Sequence, residues 1–323
     1  MSKATRLILW SLSGLVLGLT LLALGDRLDL GGRIGWAFDL LSHWPRHLLL
    51  ASLVIGGVAL WRRKRGPAIT ALAAAVINVV LVIGLGGFAR PQAAPEGARF
   101  IRIASANVHG SPPALGQFVD LAHDYGADII AIYEAPNDLT DALLPDIFPD
   151  LPDRILPSQR ANGWPLLHRS LLAGRDIADP GVEMFDGSHG VLIHGRAGAV
   201  QIVATHPPSP RDPGLMHDRD QQLAAIAGLI DTSRPFIIAG DFNSTPWGRA
   251  YAVVPGERAG DPRFDGTFPA MFASLGLPID HIKFGGGLIL TDYRVGPDIS
   301  SDHLPLFATF ALPTNMPPDL PGN

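Results

Sequence analysis

The segment Pro235-Phe-Ile-Ile-Ala-Gly-Asp-Phe-Asn-Ser-Thr-Pro246 decides the fold class. Its apolar run, Pro235–Ala239, predicts a strand, and Pro246–Val253 predicts a short helix opened by proline. Between them stands Gly240-Asp241-Phe242-Asn243, so an acid and an amide sit where a buried strand ends. Strand ends are where a rigid scaffold holds functional groups in place. Alone, the segment also fits a helix start with Asn243 or Thr245 as N-cap.

Working outward, the arrangement recurs. Phe100–Ala106 predicts a strand before Asn107, Pro113–Tyr125 a helix, and Asp128–Tyr133 a buried strand ended by Glu134. His189–His194 and Ala199–Thr205 flank Gly195-Arg196-Ala197-Gly198 as an antiparallel hairpin, the second strand ending at His206. Gly214–Ile230 predicts a helix, while Ile279–Phe284, Leu288–Val295 and Leu304–Ala311 predict closing strands. Asp280-His281 opens the first of these, and Ser301-Asp302-His303 precedes the last. Hairpins mixed with β-α-β units predict a mixed-sheet sandwich flanked by helices, without an internal repeat. Pro313–Asn323 is proline-rich and predicts a disordered tail.

Each polar residue has a plain structural alternative. Asn107 suits a turn before His109-Gly110-Ser111-Pro112, Glu134 a cap or an exposed end, and His206 a loop before Pro207-Pro208. Asp280-His281 suits a surface pair, and Ser301-Asp302-His303 a polar turn. Turn chemistry does not readily account for five clusters, Asn107, Glu134, His206, Asp241 with Asn243, and Asp302 with His303, each at the end of an apolar strand pattern or the mouth of the next.

The ordered set Ser105-Ala-Asn107-Val108, Ile130-Ala-Ile-Tyr-Glu134, Thr205-His206, Gly240-Asp-Phe-Asn-Ser-Thr-Pro246, Ile279-Asp-His-Ile282 and Ser301-Asp-His303 resembles the endonuclease/exonuclease/phosphatase superfamily. That superfamily includes deoxyribonuclease I, apurinic endonucleases, neutral sphingomyelinases and inositol polyphosphate phosphatases, and the resemblance spans residues 100–312. It implies a four-layer α/β/β/α sandwich with its site at one end of two packed sheets. It also implies a divalent cation, Mg²⁺ or alternatively Mn²⁺, held chiefly by Glu134 with Asn107 and Asp302 close by. Mg²⁺ takes oxygen ligands and keeps several waters, so one or two carboxylates plus a substrate phosphate suffice. On this resemblance Asp241 activates the attacking water and Asn243 donates to a phosphate oxygen. His303, oriented by Asp280, and His206 from the opposite wall contact the phosphate, where either could transfer a proton. Two positions depart from the pattern: Tyr133 stands where a polar Gln is usual, and His109 where some members carry an acid. Gly163–Arg169 is similar to the strand that normally follows the Glu.

The first third has another character. Leu7–Gly25 is a run of 19 uncharged residues and Pro67–Phe88 one of 22, against the ~20 needed to cross a bilayer. A third span over 40–61 requires Arg46 and His43 to reach outward. Residues 1–90 are therefore expected to hold about three transmembrane helices (7–25, 40–61 and 67–88), joined by a 91–99 linker to a 100–312 domain. A cleaved signal peptide is the alternative for the first run. Lys3, Arg6 and Arg62-Arg63-Lys64-Arg65 place their ends in the cytoplasm and the large domain outside it, against which Arg27, Arg33 and Arg46 count.

Charge divides the same way: residues 1–99 carry 11 Lys and Arg against 4 Asp and Glu (+7), residues 100–323 carry 14 against 26 (−12). An acidic surface disfavours long duplex nucleic acid as a partner. With no cysteine, thiol catalysis and zinc-thiolate sites are excluded. No obligate protein partner is evident. The expected function is a membrane-anchored phosphoesterase acting on a phosphodiester or phosphomonoester; the alternative is a catalytically silent binding module that retains the fold. Transport has little support, because Asn78 is the one strongly polar residue within a clear span.

Overall fold

A computed structural model describes residues 3–85, 87–157, 169–185 and 190–313. The chain begins with helices α1 (Lys3–Ala23), α2 (Gly32–Ser42), α3 (Pro45–Trp61) and α4 (Arg65–Gly84), with a short 3-10 turn at Leu24–Leu28 after α1. Lys3–Leu28 and Arg65–Gly84 are long and apolar enough to cross a membrane, and α2 with α3 adds a third only if a pair bent by 65° counts as one span. Helices α1, α3 and α4 pack on one another. Inside this group the Asn78 amide nitrogen on α4 donates to Thr20 Oγ1 on α1 at 2.8 Å and to the Ala74 carbonyl at 2.9 Å.

Two expected boundaries are corrected. The continuous helix over 40–61 is broken at His43–Trp44, because Pro45 has no N–H with which to continue the preceding turn. The span expected to end at Phe88 stops at Gly84, and Phe88–Ala89 form strand β1, which pairs in parallel with β10 (Glu257–Ala259). The linker also lies along the domain, with Gln92 N–H donating to Leu290 O and Leu312 N–H to Arg99 O.

The domain continues through β2 (Phe100–Asn107), α5 (Pro112–Tyr125), β3 (Ile129–Ala135), α6 (Leu144–Ile147), β4 (Asp153–Ile155) and β5 (Arg169–Gly174). Then come β6 (Ile177–Met184), β7 (Val191–Ala197), β8 (Val200–His206), α7 (Pro213–Leu229), β9 (Phe236–Asp241) and α8 (Arg249–Ala252). After β10, strands β11 (Asp280–Gly285), β12 (Ile289–Val295) and β13 (Leu306–Ala311) complete the domain. Among the described residues one sheet runs β1-β10-β11-β9-β8-β7-β6 and the other β12-β13-β2-β3-β5-β4, both mixed. After Glu134 the chain forms the short β4 and then β5, and it is β5 that pairs with β3, antiparallel. Of the stretch expected there, 163–168 lie outside the described residues, as does most of the expected tail.

Alternation along each strand builds the layers. On β3, Ile129, Ala131 and Tyr133 face the other sheet, whereas Ile130 and Ile132 pack under α5 with Phe118. On β8, Ile202 and Ala204 face inward and Val203 meets Leu223 and Ile226 of α7. Strands covered on both faces need apolar residues throughout, which is why they appear in the sequence as unbroken apolar runs.

Candidate active site

Strand direction assembles the site. β8 and β9 are parallel neighbours, so His206 and Asp241 leave one sheet at the same edge. β2 and β3 are parallel neighbours in the facing sheet, which does the same for Asn107 and Glu134. β11 runs antiparallel to β9 with Asp280 opposite Asp241, and the turn before β13 carries Asp302 and His303. Asp280-His281 is thus no surface pair: both are buried, and His281 bonds the Ser244 carbonyl at 2.8 Å and receives the Arg258 guanidinium at 3.1 Å.

Two backbone features fix the groups. A Cβ on Gly240 would lie 2.3 Å from the Thr205 carbonyl, so β8 and β9 approach this closely only with glycine there. Glu134 has φ +51° inside a bulge between Ile132 and Ala135, a conformation that costs of order 1–3 kcal/mol and re-aims its side chain.

Asp241 lies at the centre. Its Oδ2 is 3.4 Å from His206 Nε2 and 3.8 Å from His303 Nε2, and its Oδ1 accepts the Asn243 N–H at 2.9 Å. Behind His303, Asp280 Oδ2 meets Nδ1 at 2.8 Å. Asn107 stands beside them, its amide nitrogen donating to Glu134 Oε1 and Asp241 Oδ2, both at 3.1 Å. Its oxygen accepts the His109 N–H, so Asn107 orients two carboxylates and turns nitrogen toward them. One amide N–H of Asn243 goes to the Pro207 carbonyl at 3.0 Å and ties the loop after His206 to the loop after Asp241. Glu134, His206, Asp241, Asn243, Asp302 and His303 line a cleft of about 360 Å³ whose rim includes Pro207–Ser209, Arg211 and Phe268.

The electrostatics follow from this crowding. Burial alone would depress the His303 imidazole, but the Asp280 and Asp241 carboxylates outweigh it and hold its pKa up at about 10. Burial likewise opposes the charge on His206, and Asp241 and Glu134 raise it. Burial would raise Asp241, yet His303, His206 and the Asn243 N–H keep it below the usual carboxylate range. At neutral pH the centre is an ionised Asp241 carboxylate facing the His303 imidazolium, with His206 shifted toward its charged form.

Donor atoms of Asp241, Asp280 and His303 lie within 4.8 Å of one another. The His303 nitrogen nearer Asp280 is already bonded to it, so this group fits a hydrogen-bonded relay better than a metal cage. Oxygen converges beside it. Glu134 Oε2 and Asp302 Oδ1 point at the same His109 nitrogen, from 3.6 and 3.4 Å, and that buried Asp302 oxygen accepts no hydrogen bond. Two carboxylates gathered on one point, one oxygen unsatisfied, suit a hard divalent cation.

The sequence reading missed a brace behind the motif loop. Arg219 of α7 is fully buried, donates to both oxygens of Asp39 on α2 at 2.7 and 3.0 Å, and reaches the Asn243 carbonyl at 3.3 Å. His43 Nδ1 lies 3.0 Å from Thr245 Oγ1, and Asp26 accepts the Arg249 N–H at 2.8 Å. The helical third and the motif loop are one packed unit. The signal lay in charges placed inside an otherwise apolar region.

The fold and its polar centre define a class of hydrolases that act on phosphoester bonds. The chain belongs to the Endonuclease/Exonuclease/phosphatase family, whose model matches residues 104–303. An endonuclease/exonuclease/phosphatase from Bacteroides vulgatus is similar in structure, with TM-score 0.53 and 18% identity over 67% of this chain and 100% of that one. A family protein from Bacteroides thetaiotaomicron gives 0.52 and 16% over 69% and 98%. An AP endonuclease from Archaeoglobus fulgidus gives 0.51 and 16% over 65% and 99%. No curated protein sequence matches the chain.

Proposed function

We propose that the protein is a membrane-tethered, divalent-metal-dependent phosphoesterase that hydrolyses a phosphodiester or phosphomonoester. The observation carrying this reading is the convergence of His206 and His303 on the ionised Asp241, with the Glu134 and Asp302 carboxylates alongside. In hydrolysis the water oxygen bonds to phosphorus, one P–O ester bond breaks, and the departing alkoxide takes up a proton from solvent. Asp241 accepts the proton that water loses, its low pKa keeping it ready to do so. His303, held cationic, and His206, whose pKa the Asp241 and Glu134 carboxylates raise, donate to phosphate oxygens and offset the charge that builds there. His303 keeps its proton far above neutrality, so its part is charge stabilisation more than proton exchange. Glu134 and Asp302 would hold the cation, with Asn107 orienting Glu134; when bound, Mg²⁺ or Mn²⁺ neutralises phosphoryl oxygen charge. The test is hydrolysis of bis-p-nitrophenyl phosphate by the full chain with Mg²⁺ or Mn²⁺. EDTA should abolish it, and a protein inactive under every metal condition would be a binding module.

The tether is read as a multi-pass membrane region with the domain outside the cytoplasm. Domain contacts come from the end of α1 and the start of α3, whereas Arg62-Arg63-Lys64-Arg65 joins the far ends of α3 and α4. Arg27 and Arg46, which argued against this orientation, donate to domain carbonyls at Trp247 and at Arg263 and Gly276. In sealed spheroplasts an added protease should remove the domain; full protection would reverse the orientation.

A further inference from the structure

The start of α3 fixes one loop of the domain at the level where a bilayer would end. Trp44 caps α3 and Trp61 closes it, a separation of about 25 Å at the helical rise, which suits two indoles at opposite interfaces. One turn in from Trp44, Arg46 Nη1 donates to the Arg263 carbonyl at 3.0 Å and His47 Nε2 contacts the Leu275 carbonyl at 2.7 Å. Arg46 also holds the Gly276 carbonyl. The backbone of 263–276 is therefore bonded to the first turn of a helix whose outer face, Leu50, Leu53 and Val54, is itself exposed and apolar. On that loop Phe264, Met271, Phe272 and Leu275 are 76%, 81%, 59% and 57% exposed. Four large apolar side chains left bare within one short loop mark an interaction surface. Its continuity with α3 identifies the occupant as the bilayer.

The same loop forms a wall of the catalytic cleft. Phe268 lines the cleft and packs on the His303 ring at 4.8 Å, and Ala270 N–H donates to the Asp302 carbonyl at 2.7 Å. On another side of the cleft the rim segment Pro207–Arg211 is tied to α2, where Trp36 Nε1 donates to the Pro210 carbonyl at 2.8 Å. The cleft is thus framed by two segments bonded to α2 and to the start of α3. We propose that residues 264–275 sit in the bilayer interface and that the cleft takes a phosphoester whose alcohol is a lipid held in that bilayer. The proposal rests on the phosphoesterase reading above; the reaction is the same, water oxygen joining phosphorus and the P–O bond breaking.

The test uses the full chain reconstituted in phosphatidylcholine vesicles and two esters with one chromophore: hexadecyl p-nitrophenyl phosphate in the bilayer and ethyl p-nitrophenyl phosphate in the water. The tailed ester should be cleaved faster. Replacing Met271→Ser and Phe272→Ser together should lower that rate by about tenfold or more while leaving the ethyl ester rate unchanged. A double variant that cleaves the tailed ester as fast as the parent overturns the proposal. Because the chain has no cysteine, Met271→Cys carries a single nitroxide without background. That label should collide with oxygen and be shielded from a water-soluble nickel chelate, and preferential collision with the chelate overturns the docking. If neither ester is hydrolysed with Mg²⁺ or Mn²⁺, the phosphoesterase reading fails, while the label still decides where the loop lies.

Discussion

Asp280 Oδ2 and His303 Nδ1 are 2.8 Å apart in a buried pair, and Asp241 faces the other nitrogen of the same ring at 3.8 Å. The imidazole is therefore held between two carboxylates, with its orientation set by one and its charge shared by both. A ring in this position donates from Nε2 toward the cleft for as long as it stays protonated.

Asp280→Asn should lower kcat/KM by about a hundredfold at neutral pH and move the alkaline limit of activity downward. In the parent that limit should lie near the His303 pKa of about 10, above the ordinary 6.5. The sign for stability is the same: the contribution of a raised histidine is complete below 6.5 and lost as pH rises through about 10. Rate and melting profiles from pH 6 to about 10.5 check this. A variant with the parental alkaline limb would remove Asp280 from the role.

Asp241→Asn should cost about a thousandfold or more in rate while leaving the fold, since one carboxylate both accepts the water proton and fixes two histidines. His303→Ala should also abolish nearly all activity. Circular dichroism would verify that each variant is folded. The informative readout is titration of His206, which should lose its upward shift in Asp241→Asn because that carboxylate supplies much of it.

Why the centre could be read from the sequence is visible in these residues. Asn107, Glu134, His206 and Asp241 each end an apolar run, and strands buried on both faces make such runs conspicuous. β1 and β10 escaped because two or three residues leave no period to detect. Helix α7 was found despite Arg219 and Gln222 on its buried face, where they blur the apolar stripe. The Asp39–Arg219 pair was invisible because its members are 180 residues apart and only the folded chain joins them. The bulge at Glu134 has no sequence signature, since glutamate rarely adopts a positive φ.

Removing metal should stop hydrolysis reversibly, and Asp302→Ala should raise the Mg²⁺ concentration for half-maximal rate by about tenfold or more. The Asp302 oxygen that accepts no hydrogen bond is the one that variant deletes. Glu134→Gln should be more severe, since Glu134 also anchors Asn107. Activity measured against Mg²⁺ concentration separates the two outcomes: rescue by excess metal marks a ligand, and a rate that metal cannot restore marks some other defect.

The brace between α2 and the motif loop should make the helical third necessary for full activity on a water-soluble ester. Asp39→Ala leaves the Arg219 guanidinium buried with only Asp220 as a carboxylate partner, and breaking a buried pair on one side costs roughly 3–5 kcal/mol. Because Arg219 also holds the Asn243 carbonyl, the loss should reach the loop after Asp241 and lower kcat together with thermal stability. Asp39→Leu with Arg219→Met removes both charges and should recover much of the stability without the full rate, since the Asn243 carbonyl then loses its guanidinium donor. A domain beginning at residue 98 lacks Asp26, Asp39 and His43 together, and it should be slower than either variant. If it hydrolysed the soluble ester as fast as the full chain, the helices would serve only to hold the enzyme at the membrane.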